Sequence, residues 1–169
     1  LSSSSTLDIS AQTIGTAGTF TFDGTNNRET LEIGLISASE VSLIFGDLSD
    51  GFSAGIINTN SFSLYGGDGA NFSANIGMLN ISDSDFSLIM PELGNGLTIN
   101  SLIFNGSGTI SGTNQSDFVS ASSLSMAGGF FGLTFDMGED SSVDTLAYSN
   151  GFGKEFITIL NFDSGEDRL

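Results

Sequence analysis

The sequence predicts an all-β fold built as a degenerate repeat array, a parallel β-solenoid in preference to a β-sandwich. Three observations predict it. Residues 36–53, ISASEVSLIFGDLSDGFS, return 45 residues later at 81–98 as ISDSDFSLIMPELGNGLT, with eight of eighteen positions identical and most of the rest conservative. Short runs alternate apolar with polar residues, the period of a strand with one buried face. No window sustains apolar spacing at three and four residues, so almost no helix is expected.

Taken in order, the run from Thr19 places Phe20 and Phe22 on one face. Leu31, Ile33 and Leu35 form the next set, followed by Val41, Leu43 and Phe45, then Phe62 and Leu64. Phe72, Ala74, Ile76 and Met78 come next, then Phe86, Leu88 and Met90. Leu97 with Ile99, Leu102 with Phe104, and the set Phe131, Leu133, Phe135 and Met137 complete the core candidates. Turn signals stand between them at Asp23-Gly24, Asp50-Gly51, Gly66-Gly67-Asp68-Gly69, Gly94-Asn95-Gly96 and Asn105-Gly106. The single proline, Pro91, directly follows a strand, where a lost N–H donor does little harm. Four units are read, near Ile9, Ile36, Ile81 and Val119. Insertions on one face would absorb their uneven spacing. Residues 1–142 form one repeat-built β domain, and 143–169 form a C-terminal β cap packed on the same core. Leu43 and Leu88 should then occupy equivalent, buried places.

Composition removes whole classes of chemistry. Without His, Cys or Trp there is no Ser-His-Asp triad, no thiol nucleophile and no imidazole or thiolate zinc site. Paired carboxylates could serve glycoside hydrolysis, but only Tyr65 and Tyr148 join the phenylalanines as stacking surfaces. A lyase base would have to come from Arg28, Lys154 or Arg168. No catalytic residue and no organic cofactor site is expected.

The formal net charge is −17, and no basic residue separates Arg28 from Lys154. Nucleic acid and anionic membrane surfaces are therefore excluded as partners. No stretch approaches the roughly 20 apolar residues of a spanning helix. The start, LSSSSTLDIS, lacks the basic and apolar regions of a signal peptide. The carboxylates either keep the chain soluble or are partly neutralised by Ca²⁺, which takes six to eight oxygen ligands. Asp47 with Asp50, and Glu92 with Asn95, recur at one repeat position beside a Gly turn. Glu139, Asp140 and Asp144 crowd three carboxylates into six residues, and like charges so close repel unless a cation separates them. The run from Ser82 to Asp85 is read as a strand edge first and a ligand run second.

The C-terminal segment, VDTLAYSNGFGKEFITILNFDSGEDRL, resembles the end of the RTX calcium-binding proteins exported by bacterial type I secretion. Asp144, Thr145, Tyr148, Gly151, Gly153, Ile157, Asn161, Phe162, Gly165, Glu166, Asp167 and Leu169 carry the resemblance. Lys154 and Glu155 stand where that family has Asn-Asp, and its glycine-rich nonapeptides are absent upstream. The resemblance implies an extracellular or cell-surface location and adds Asp163, Glu166 and Asp167 to the candidate calcium ligands. It also implies further residues beyond Leu169.

The expected function is that of a secreted structural protein that polymerises with itself through β-edges into a surface layer, matrix or filament, with Ca²⁺ as a stabilising ion. The Ser-rich N-terminal segment is a candidate donor strand. The alternative is an extracellular module binding polysaccharide or ice on the same scaffold. Regular Thr arrays would favour ice, and the Thr of this chain are scattered, which counts against it.

Overall fold

The computed structural model describes residues 4–9, 12–13, 18–25, 27–46, 50–66, 72–82, 86–89, 95–112, 116–126, 132–139, 142–148 and 156–169. The described strands are β1 (Ser4–Ile9), β2 (Gln12–Thr13), β3 (Thr19–Asp23), β4 (Arg28–Ile44), β5 (Gly51–Tyr65), β6 (Ser73–Ile81) and β7 (Phe86–Ile89). They continue with β8 (Asn95–Phe104), β9 (Gly108–Ser111), β10 (Asp117–Ala121), β11 (Leu124–Met126), β12 (Gly132–Asp136), β13 (Thr145–Tyr148) and β14 (Phe156–Leu160). All pairings among them are parallel, and the chain is a β-solenoid.

Three ladders run along its axis. The first stacks Leu7, Leu31, Phe52, Ala74, Leu97, Val119 and Leu146. The second stacks Gln12, Ile36, Ile57, Leu79, Leu102 and Leu124. The third stacks Phe22, Leu43, Leu64, Leu88, Ile110, Phe135 and Ile159. Strand β4 belongs to all three ladders.

One turn is thus 21 to 27 residues, counted along the first ladder. The 45-residue repeat spans two turns. Leu43 and Leu88 lie on one ladder with Leu64 between them, and both are fully buried. Gly51 and Gly96 are likewise two turns apart, through Ser73. Among the described residues the register slips only at the start of the copy, because Ile36 meets Leu79 through Ile57, while Ile81 stacks on Thr59 and Ala38. Ile9, Ile36, Ile81 and Val119 therefore begin segments on four different ladder positions. The N-terminal segment from Ser4 is paired with the chain's own β4, from Ser4 on Arg28 to Ile9 on Ile33.

The strands bend where the alternation slips by one residue. In β4, Gly34 and Leu35 both face outward, as do Ser39 and Glu40, and buried residues resume at Ile36 and Val41. In β5 the same happens at Gly55-Ile56 and Asn60-Ser61, and in β6 at Gly77-Met78. This corrects two core assignments. Leu35 and Met78 sit at corners, and Ile36 and Leu79 fill the core in their place.

Glycine is required at the first corner. A Cβ on Gly55 would lie 2.5 Å from the Gly34 carbonyl oxygen, and one on Gly77 would lie 2.5 Å from that of Gly55. Backbone cannot retreat without breaking the ladder, so Gly55→Ala should cost roughly 2–3 kcal/mol. On Gly51, in the same strand, a Cβ meets only the Thr30 side chain at 3.8 Å and beyond. Gly51→Ala should therefore stay within about 0.5 kcal/mol of wild type. Urea unfolding midpoints of the two variants compare the costs directly.

Candidate functional site

The position two residues before each first-ladder residue from Leu31 onward collects acids. The register places Glu29, Asp50, Phe72, Asn95, Asp117, Asp144 and Asp167 in one row. Glu29, Asp50, Asp117 and Asp144 are buried, the last at 2% exposure. Carboxylates so buried need hydrogen bonds, and backbone N–H groups supply them to Glu29, Asp50 and Asp144. One oxygen of Asp117, Oδ1, is buried and accepts no hydrogen bond among the described residues. Asp50 Oδ1 accepts the N–H of Glu29, one turn below, at 2.7 Å, and Oδ2 accepts that of Gly46, four residues back, at 3.1 Å.

One or both of these bonds recur along the row at Asp167, Asp144 and Glu29. Asp167 accepts from Asp144 N one turn below at 3.1 Å and from Asp163 N four residues back at 2.7 Å. Asp144 Oδ1 accepts Asp117 N at 2.8 Å. Glu29 accepts Thr25 N, again four residues back, with its two oxygens at 2.8 and 3.0 Å. Asp50 and Asp167 thus close the corner loop before them and tie it to the turn beneath, while Glu29 makes the loop-closing bond and Asp144 the bond to the turn beneath. An acid at this position has a structural task that Ala could not perform.

Electrostatics set a cost on this device. Burial pushes the Asp50 carboxyl above its ordinary value, and the Glu29 carboxylate adds to the shift. The N–H bonds from Glu29 and Gly46 and the charge of Arg28 oppose it.

Of the sequence-predicted ligands, the fold gathers Asp50, Asn95, Asp144 and Asp167 in this row, with the Asn95 side chain outside the described residues. Glu29 and Asp117 belong to the row and were missed. The signal was available in the recurring pattern of an acid or Asn, one residue, then alternating apolar positions, as in ETLEI at Glu29, DGFSA at Asp50, NGLTI at Asn95 and DFVSA at Asp117. Asp163 is exposed, and its Oδ1 accepts Gly165 N at 2.8 Å in a short turn. Glu139 and Glu166 are exposed. Asp47, Glu92 and Asp140 lie outside the described residues. Among the described residues, no group of three or more acids is placed to hold a metal ion.

Two outward surfaces are also ordered by the register. On the third ladder, Thr21, Ser42, Ser63, Ser87, Thr109, Thr134 and Thr158 form an unbroken hydroxyl row. Hydroxyls scattered in sequence are therefore aligned in space, at the spacing of about 4.8 Å between paired strands. At the corner between the second and third ladders, an open groove of about 190 Å³ is lined by Ser37, Ala38, Asn58, Thr59, Asn60, Asn80 and Ser82. Comparison with protein-family models, curated proteins and solved structures gave no match.

Proposed function

We propose that this chain is a structural module of the cell exterior whose copies stack head to tail through the open ends of the solenoid. The observation that carries this reading is the state of the core at its ends. Leu43, Leu64, Leu88, Ile110 and Phe135 are at most 2% exposed. The residues that begin and end their ladder, Phe22 and Ile159, are only partly buried, as are Phe20 and Ile157 beside them. A further turn would cover these apolar side chains and complete the edges of β3 and β14, which pair on one side only among the described residues.

The two ends differ. At the C-terminal end the first ladder is closed by the Asp163–Arg168 turn, with Arg168 N donating to Asp144 O at 2.9 Å and Leu146 N to Arg168 O at 3.0 Å. Among the described residues the third ladder keeps a strand edge unpaired at that end, on β14. A contact through that edge is heterologous and runs on into an open array unless the rotation closes a ring.

Calcium enters this reading as a counter-ion to the net charge of −17. The RTX resemblance of the last 27 residues supports export and a calcium-rich setting. Screening beyond about 8 Å already weakens the repulsion between copies in physiological salt, and calcium would weaken it further. Sedimentation velocity and negative-stain microscopy, with millimolar calcium and with chelator, test the proposal. Ordered oligomers, longer with calcium, are expected. A monomer at high concentration in both conditions would contradict it.

A further inference from the structure

We infer that the groove at the corner between the second and third ladders binds a short stretch of a neutral polysaccharide laid along the solenoid axis. One wall is the stacked row Ser37, Asn58 and Asn80, and the other carries Asn60 and Ser82, with Ala38 and Thr59 between them. Each lining side chain is uncharged, in a chain with 20 carboxylates. A carboxamide offers a donor and an acceptor side by side, and so does a sugar hydroxyl. The amides of successive turns repeat every ~4.8 Å along the axis, a step that a chain of pyranose rings can follow.

The groove is held in shape before any ligand arrives. Asn80 Nδ2 donates to Asn58 Oδ1 at 3.3 Å, and Ser82 Oγ donates to Asn60 Oδ1 at 2.9 Å. Asn105 Nδ2, one turn on, donates to the Ser82 carbonyl at 3.2 Å. Thr59, only 4% exposed, is the polar member of an otherwise apolar ladder, Ala38, Thr59, Ile81 and Phe104. Its hydroxyl bonds the Ser61 carbonyl at 2.7 Å and the Ser39 carbonyl at 3.2 Å, which fixes the corner between the two walls. A preorganised site loses less entropy on binding.

Size and charge narrow the ligand. A volume of about 190 Å³ is below the roughly 300–1,000 Å³ of pockets that enclose a small molecule. An open groove of that size suits two or three units of a longer chain. The polar row Ser37, Asn58 and Asn80 ends where Ile103 follows Asn80, which limits the contact to about three turns. Glycans bearing uronate or sulfate are disfavoured by the field of a −17 chain with three basic residues. This site does not depend on the stacking of copies, and each inference can fail without the other.

The test is NMR titration of the full chain with cellohexaose, maltohexaose and chitohexaose, with oligogalacturonate as the acidic comparison. At least one neutral hexasaccharide is expected to shift the Asn58, Asn60 and Asn80 side-chain amide signals, and oligogalacturonate is expected to shift none. Asn58→Asp keeps an acceptor for Asn80 Nδ2, so the fold is retained, but it removes two donors and adds charge. Binding should weaken by about tenfold or more, the scale of one lost hydrogen bond, with an unchanged circular dichroism spectrum. Ser37→Ala, a milder change on the same wall, should weaken binding less and leave stability unaltered. No shift with any neutral hexasaccharide at 10 mM would overturn the inference, as would binding unaffected by both variants or preferential binding of oligogalacturonate.

Discussion

Phe45→Ala is expected to cost about 4 kcal/mol, near the middle of the range for emptying a buried phenylalanine site. Phe45 is 2% exposed and lies where three turns meet. Its ring centroid is 5.1 Å from that of Phe22, 6.0 Å from Phe52 and 4.9 Å from Phe72. Its N–H also bonds the Tyr65 carbonyl at 2.9 Å, which holds the backbone in place and prevents the site from collapsing. The cavity therefore persists, and neighbouring rings lose their tilted ring contacts as well as area. Ile44→Ala makes the contrast, since Ile44 is the next residue and is 41% exposed. Its cost should be below about 1 kcal/mol. Urea denaturation gives both values, and equal costs would show that Phe45 does not join the turns as described.

Asp50→Ala should cost about 2–3 kcal/mol. The substitution leaves the N–H groups of Glu29 and Gly46 buried without their acceptor, and hydrogen bonds to a charged group are worth roughly 1.5–3 kcal/mol each. Relief of the burial of charge and of repulsion from Glu29 offsets part of that loss. The pH dependence has a definite sign. A folded-state value raised above the ordinary 3.8 means that the folded chain holds the Asp50 proton more tightly than the unfolded chain. That share of stability is fully present below the ordinary value and is lost as pH rises through the raised one. The gap between wild type and Asp50→Ala should therefore be wider near pH 4 than near pH 7. A gap that narrows on acidification would contradict the assignment.

The all-β class and the stacked repeat were legible because burial depends on alternation, and alternation is local. Leu43 with Leu88 and Gly51 with Gly96 could be paired from the text of the sequence alone. The length of a turn was not legible. A ladder requires apolar residues inside and a tolerable corner, so neighbouring turns need little identity, and Phe72 even stands in the acid row between Asp50 and Asn95. Copies two turns apart happened to be more alike than adjacent ones. Leu35 and Met78 were misassigned because a one-residue slip at Gly34 and Gly77 reverses the facing of everything after it.

The same gap separates residue type from site. Asp50, Asn95, Asp144 and Asp167 stood out as oxygen ligands, but their shared row and the backbone partners of the three Asp appear only once the register is fixed. The hydroxyl row was hidden for a related reason: steps from 21 residues, as between Thr21 and Ser42, to 25, as between Thr109 and Thr134, disguise a straight line.

Head-to-tail stacking through the third ladder can be read chemically at one pair of positions. Thr21 and Thr158 are the two ends of the hydroxyl row, so a copy stacked in register sets its Thr158 about 4.8 Å from Thr21 of the next. That separation falls within the roughly 4.4–6.8 Å that a disulfide spans, and the chain has no cysteine of its own. The decisive measurement is non-reducing electrophoresis of the Thr21→Cys, Thr158→Cys double variant after mild oxidation. A ladder of covalent oligomers, with a single heterodimer from the mixed single variants, is the expected result. Monomers only, or only like-with-like dimers from the single variants, would contradict head-to-tail assembly.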